Sequence, residues 1–263
     1  MAVVVLSIAG SDPSGGAGIQ ADLKTFHACG VYGAAVVTSL TVQNTVGVRD
    51  RRDVEPAFVA AQLAAVLDDL PVAAAKTGML PNAGVVAAVA EVLRARPIPA
   101  LIVDPVLVAT SGDTLADAST LDALRDRLVP IASVVTPNLR EAEALTGRPV
   151  RTRAEMREAA RALVAMGARA ALVKGGHLSD RAYDVLAIGD TIHELDAPRI
   201  DVGATHGTGC TLSAATAAGL ASGLSLVDAV KRAKTYVTRA LAASTPLGHG
   251  SRALDHRVRP DDA

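Results

Sequence analysis

Tryptophan is absent from this sequence, and three tyrosines and two phenylalanines are its whole aromatic content. Half of the 263 residues are still hydrophobic, enough for one large core or at a stretch two small ones, built from Ala, Val and Leu. Cysteine is almost as scarce. Cys29 and Cys210 make no disulfide framework, and a reduced, cytoplasmic setting is expected. Positive charge is not in excess: the net charge is −1, with Lys and Arg spread along the chain. That excludes the basic footprint of a nucleic-acid binder. Uninterrupted apolar runs fall short of the ~20 residues that a membrane helix needs. The apolar start, residues 1–9, lacks a basic lead and reads as a buried strand, not a signal peptide. A soluble protein without membrane or nucleic-acid partners is expected. Linkers, repeats and low-complexity segments are also lacking.

What is present alternates. Residues 3–9 are an apolar run of the kind covered on both faces. The turn 10–18 follows, then a helical pattern over 19–29 that Gly30 stops. Further strands are predicted at 34–40, 72–76, 101–103, 134–135 and 170–173, with a hairpin over 183–195. Helices are predicted from Pro56, over 83–93, 121–128, after Asn138, over 154–166, 211–221 and 226–243. Residues 41–52 read as a long functional loop, and the polar tail from Ser244 as less ordered. The pattern predicts one domain over 1–263: a three-layer α/β/α fold with a central, mostly parallel sheet.

Ligands in such sheets bind beyond the carboxyl ends of the strands. Asp12, Gln43, Lys76, Asp104, Asn138 and Lys174 all fall at such ends. The stretch Thr205-His206-Gly207-Thr208-Gly209-Cys210 leads into an alanine-rich helical pattern. A helix start of this kind gathers unpaired N–H groups and the positive dipole end, which suits an anion. The dipole is expected to lower the Cys210 thiol pKa. The alternative is a glycine-rich entry to a core helix. Asp104 fits a Mg²⁺ ligand, direct or through water, or a turn-starting Asp before Pro105. Asn138 and Glu141 fit a helix cap, phosphate and metal contacts, or both. Lys174, followed by two glycines, is a point charge for phosphate or a solvated strand-end lysine. The Gln43 amide offers a donor and an acceptor to a heterocycle, or is an ordinary polar residue. Cys29, His27 and His193 read as packing or surface residues. Gly16-Ala17-Gly18-Ile19-Gln20-Ala21 fits a dinucleotide fingerprint, but the second strand ends without the acid that would hold a ribose. The P-loop pattern is missing as well.

Read together, these pieces resemble one family. The segment 7–24, with Ser11-Asp12-Pro13-Ser14-Gly15-Gly16-Ala17-Gly18 at its centre, is similar to the opening of the hydroxymethylpyrimidine/phosphomethylpyrimidine kinases of thiamine biosynthesis. Thr41-Val42-Gln43-Asn44-Thr45, Lys76-Thr77-Gly78-Met79-Leu80, Asp104-Pro105-Val106, Ser111-Gly112-Asp113, Thr136-Pro137-Asn138, Lys174-Gly175-Gly176-His177 and His206-Gly207-Thr208-Gly209-Cys210 follow in family order. The resemblance implies the ribokinase-like fold, ATP and Mg²⁺, a small-molecule partner and a homodimer. It implies two phosphorylations of one heterocycle, 4-amino-5-hydroxymethyl-2-methylpyrimidine, first to the monophosphate and then to the diphosphate. Gln43 and the Val42 backbone would read the ring, with Gly10, Asp22, Met79 and Val106 lining the pocket. Asp104 and Glu141 would serve the metal. Asn138, Lys174 and Thr208 would meet ATP, and Gly207 to Gly209 would form the anion hole beside Cys210. Most sugar kinases of the wider fold carry Asp where this chain has Cys210. Lys174, Mg²⁺ and the loop amides are therefore expected to carry more of the rate than Cys210. The nearest alternative is a pyridoxal or pyridoxine kinase; a non-catalytic pyrimidine or nucleotide sensor is another. With so few aromatics, only Tyr32 or Phe26 could supply a stacking ring.

Overall fold

A computed structural model describes residues 2–107, 117–176 and 181–260. The Ser111-Gly112-Asp113 motif and His177 lie outside the described residues.

The expected alternation is observed. Strand β1 is Val4–Ser11, helix α1 Gly18–Ala28, β2 Tyr32–Asn44, β3 Gly47–Asp53 and α2 Pro56–Asp69. Then come β4 Val72–Thr77, α3 Ala83–Ala95, β5 Ala100–Val103, α4 Ala118–Ala123 and β6 Val134–Val135. Next are α5 Leu139–Thr146, α6 Arg153–Ala165, β7 Ala170–Gly175, β8 Arg181–Ile188 and β9 Thr191–Pro198. The chain ends with β10 Thr205–His206, α7 Thr208–Ala221, α8 Leu226–Ala242 and β11 Arg252–Ala253.

The large sheet runs in the order β3-β2-β1-β4-β5-β6-β7-β8-β9. From β2 to β7 all neighbours are parallel; β3, β8 and β9 are antiparallel additions. The period-two side-chain alternation of a strand explains the three layers. Val4, Leu6 and Ile8 of β1 enter one core with α2, α3, α5 and α6 residues such as Leu63, Val89, Leu145 and Leu163. Val5 enters the other, with Phe26 of α1, Leu212 of α7 and Tyr236 of α8. Strand order reverses between β1 and β4, and this opens a crevice at their carboxyl ends.

Three elements differ from the sequence expectation. Residues 41–52 are not a loop: β2 runs on to Asn44 and returns as β3, with Ser39 to Asn44 paired against Asp53 to Gly47. This hairpin projects past the sheet with Leu40 and Val42 exposed, so it carries no buried face to give a period-two signal. The helix read over 121–128 is composite: α4, a π-helical turn over Leu124–Leu128, and a 3₁₀ turn set by Pro130.

The tail from Ser244 is held. Strand β11 pairs with β10, and Ser251 and Gly250 donate backbone bonds to the hairpin tip at Thr45 O and Oγ1 (2.8 and 3.2 Å). Leu254 is buried, and the buried His256 ring lies 3.0 Å from Thr211 Oγ1. Burial pushes the His256 pKa down to about 4, from an ordinary 6.5. The neutral ring is the folded form, and the unfolded chain binds more protons here between those values. Stability from His256 is present above pH 6.5 and lost as pH falls towards 4. Urea unfolding of wild type and His256→Gln should therefore diverge as pH rises over this window, by roughly 3 kcal/mol at its top. A difference that stays flat with pH would refute the assignment.

Candidate active site

The half that suits an anion is built at the start of α7. Gly207 is its N-cap, with φ 86° and ψ 6°, and no side chain caps the helix. A Cβ at Gly207 would overlap the Gly16 carbonyl oxygen, so close approach and positive φ both require glycine. The first-turn amides of Thr208, Gly209 and Cys210 are left for a ligand, at the positive end of a helix buried along most of its length.

Lys174, at the end of β7, is aimed at this turn. Its Nζ donates to Asp104 Oδ1 at 3.0 Å. A Cβ on Gly209 would stand 3.4 Å from Lys174 Nζ and 3.7 Å from Asp104 Oδ2. Asp104, buried just beyond β5, also accepts from Thr136 Oγ1 at 3.1 Å and from Ser213 Oγ at 3.2 Å. Burial works against its charge, but Lys174 and Lys76 outweigh that and hold its carboxyl below the usual range. Burial likewise opposes the Lys174 charge, and Asp104 and Glu141 more than restore it. A charged lysine, a carboxylate and a helix start suited to an anion thus share one spot.

Asn138 and Glu141 form a full capping box at α5. Asn138 Oδ1 accepts from Glu141 N at 3.0 Å, and Glu141 Oε2 accepts from Asn138 N at 2.7 Å. Burial, with Asp104 nearby, lifts the Glu141 pKa to about 7. The cap uses the Asn138 oxygen and leaves its NH₂ end to donate elsewhere. No group of three or more His, Cys, Asp and Glu that could hold a metal ion occurs among the described residues. Asp104 and Glu141 are hard oxygen donors already engaged in hydrogen bonds. They fit a Mg²⁺ that keeps its waters and takes its remaining ligands from phosphates.

The other half lies at the crevice between β1 and β4. Gly10 and Met79 face each other: a Cβ on Gly10 would come 2.5 Å from Met79 Cε. Thr38 Oγ1 donates to Met79 O at 2.7 Å and sets that loop. Val106 follows Asp104 in a tight turn, its N–H donating to Asp104 O at 3.0 Å. Val42 and Gln43 arrive on the β2–β3 hairpin rather than on a loop.

Asp22 differs from the expectation. It is fully buried, and its carboxylate accepts from Ser7 Oγ at 2.5 Å and Lys76 Nζ at 3.1 Å. It stands behind the pocket wall as the anchor of Lys76. Lys76 is fully buried too; burial opposes its charge, but Asp22, Cys210 and Asp104 overcome that and raise its pKa. Neither aromatic candidate lines the crevice. Phe26 is in the core, and Tyr32 is exposed at the opposite end of β2.

Cys210 also corrects the sequence reading. Burial pushes its thiol up to about 11, although Lys76 and the Gly18 amide pull the other way. The helix start does not make it a thiolate at neutral pH. Alkylation at Cys210, followed by peptide mass spectrometry to separate it from Cys29, should accelerate about tenfold per pH unit up to about pH 11. A plateau below pH 8 would refute this.

Two residues were not assigned roles from sequence. Asp12 accepts from Ser14 N and Oγ, Gly16 N and Ala17 N at 2.7–3.1 Å, and so shapes the glycine-rich turn. His206 lies 3.0 Å from Asp12 Oδ2 and 2.9 Å from the Gln43 amide. Its only sequence signal is its place beside Gly207.

The sequence pattern of the phosphomethylpyrimidine kinase family matches residues 12–255. A Streptomyces coelicolor hydroxymethylpyrimidine/phosphomethylpyrimidine kinase is 50% identical over 253 residues, 96% of this chain and 94% of its own. The structure resembles a Bacillus subtilis pyridoxal kinase solved as an ADP complex, with TM-score 0.89, 38% identity and 96% of each chain covered. It also resembles a Clostridium difficile phosphomethylpyrimidine kinase, with TM-score 0.82, 37% identity, and 90% of this chain and 99% of that one covered. The family match spans the turn at Asp12, the Lys174–Asp104 pair and the Gly207 helix start, and the chain belongs to the phosphomethylpyrimidine kinase family.

Proposed function

We propose that this chain transfers the γ-phosphoryl group of ATP to the hydroxymethyl oxygen of 4-amino-5-hydroxymethyl-2-methylpyrimidine, and in a second turnover to the resulting monophosphate. The phosphotransferase class and the use of ATP come with the family. The observation that carries the reading is the Lys174–Asp104 pair held against the uncapped first turn of α7.

In this reading the hydroxymethyl oxygen attacks the γ-phosphorus and the bond to ADP breaks. Charge grows on the equatorial and leaving oxygens, where Lys174 and the amides of Thr208 and Gly209 stabilise it. The Asn138 NH₂ group donates to the nucleotide phosphates. Bound Mg²⁺ would neutralise phosphate charge, its waters held by Asp104 and Glu141. With its thiol pKa about 11, Cys210 orients the hydroxyl rather than removing its proton early. The proton leaves late, to the transferred phosphoryl group. Cys210→Ala is then expected to stay within roughly tenfold of wild-type kcat, the scale of one lost hydrogen bond. A dead Cys210→Ala enzyme beside an active Lys174 variant would reverse this ranking.

Pyridoxal phosphorylation is a second reading, supported by the likeness to the Bacillus subtilis pyridoxal kinase. The deciding experiment offers Mg-ATP with the pyrimidine and with pyridoxal separately and resolves products by mass. Mono- and then diphosphate of the pyrimidine supports the first reading. Product from pyridoxal alone moves the function to that vitamin, and ATP binding without product favours a sensor. A cytoplasmic homodimer belongs to the same reading. Exposed Leu40, Val42, Val46 and Phe58 supply apolar surface for it, and sedimentation analysis reads it directly.

A further inference from the structure

The Gln43 amide sits between two neighbours whose proton traffic is fixed by other bonds. On one side is Thr41 Oγ1, 3.1 Å from the atom placed as Gln43 Oε1. That hydroxyl donates its single proton to the Ser11 carbonyl at 2.8 Å, so towards Gln43 it can only accept. On the other side is His206 Nε2, 2.9 Å from the atom placed as Gln43 Nε2. The same ring nitrogen lies 3.0 Å from Asp12 Oδ2. Asp12 accepts from two backbone amides at that oxygen and from Ser14 N and Oγ at the other, so it is a carboxylate with no proton to give. His206 Nε2 therefore carries the proton: that single N–H points to Asp12 and can be shared with an oxygen of Gln43, whereas the nitrogen has no lone pair left to accept from an NH₂ there. Both neighbours ask for the same thing: nitrogen towards Thr41 and oxygen towards His206. The two ends of an amide have the same shape, and their partners decide which is which.

We infer that the Ser11–Thr41 and Asp12–His206 pairs lock the Gln43 amide with its NH₂ towards Thr41 and its oxygen towards His206, which makes His206 a specificity-determining residue. The inference rests on the reading that Gln43 faces the substrate ring. One N–H and one oxygen lone pair remain for the ligand, in fixed order. The edge they fit is an amino group, to donate to the oxygen, beside a ring nitrogen, to accept the N–H. A 4-aminopyrimidine has that edge. Its 4-oxo counterpart has the inverse, a carbonyl beside a ring N–H. A site built to pair a donor and an acceptor rejects the inverted edge because both its own groups are left unmatched.

The test compares the aminopyrimidine with its 4-oxo analogue, as substrates and by titration calorimetry, in wild type, His206→Phe, His206→Gln and Thr41→Val. Wild type should prefer the amino ring by at least about 30-fold in KM or Kd. His206→Phe should raise KM for the amino ring roughly tenfold, more than it lowers kcat, and shrink the preference to a few-fold. His206→Gln, which keeps an N–H donor, should recover part of it. Thr41→Val covers the case in which position 206 variants fold poorly. Separately, ¹⁵N NMR of the His206 ring should find a proton on Nε2. A bare Nε2, equal handling of the two rings by wild type, or full preference in both His206→Phe and Thr41→Val would overturn the inference. Failure of wild type to bind either ring would remove the reading it rests on. Binding and turnover of the amino ring with variants unmoved would leave that reading intact and remove the lock alone.

Discussion

Lys174→Met should lower kcat by roughly 10²–10³-fold, the scale of losing one preorganised charge donor at a transition state. The lysine is a point charge whose Nζ is fixed 3.0 Å from Asp104 and in contact range of Gly209, so in the proposed reaction its field would be aimed where charge develops. Little of that is available from water in a site this buried. The substitution also strips a partner from a buried carboxylate. Thr136 and Ser213 still donate to Asp104, but neither carries charge. Removing one member of a buried ion pair costs about 3–5 kcal/mol, so Lys174→Met should also unfold at lower urea concentration. The double variant Lys174→Met, Asp104→Asn tests the folding contribution, because it relieves the unpaired carboxylate while lacking both the charge donor and a residue that would serve Mg²⁺. Its stability should return most of the way to wild type while its kcat stays low. Steady-state kinetics and urea unfolding on the three proteins read this directly. Activity that returned with stability would mean that Lys174 acts through folding and not on the phosphate.

The same buried pairs show what the sequence could and could not reveal. The parallel strands were legible because runs such as Val3 to Leu6 are apolar without interruption, as burial on both faces demands. Strand ends then pointed to Asp104, Asn138 and Lys174 by topology alone. The β2–β3 hairpin was not legible, since its side chains alternate between exposure and partial cover and meet no core. The tail misled for a related reason: what holds it is backbone bonding to Thr45 and Ala204 and one buried histidine, and none of these has a periodic signature. Asp22 and Lys76 were each visible, but their pairing spans 54 residues and turns a pocket residue into an anchor behind the pocket. His206 and Asp12 are 194 residues apart. Cys210 was judged from its helix start, a local feature, whereas burial by the whole fold sets its thiol.

Gly207→Ala should be the most damaging alanine substitution among the described glycines. Two glycines have nearly the same φ, 86° at Gly207 and 87° at Gly223, yet their surroundings differ completely. Around Gly223 a new Cβ meets nothing within 4 Å, so Gly223→Ala costs only the left-handed strain, about 1 kcal/mol, and leaves kinetics alone. At Gly207 the same strain applies, and the Cβ also overlaps the Gly16 carbonyl oxygen, which is backbone and cannot swing aside. Either the glycine-rich turn or the start of α7 must move. The turn is tied to Asp12 by the Gly16 and Ala17 amides, and α7 is buried along most of its length, so the shift falls on the anion-binding turn between them. A misplacement near 1 Å there is expected to cost on the order of 10²-fold in kcat. Gly209→Ala gives a graded comparison, since its Cβ would stand 3.4 Å from Lys174 Nζ and crowd the phosphate position without distorting backbone. The expected order of kcat is Gly223→Ala, then Gly209→Ala, then Gly207→Ala. Equal activity of the 207 and 223 variants would mean that the first turn of α7 is not where phosphate charge is held.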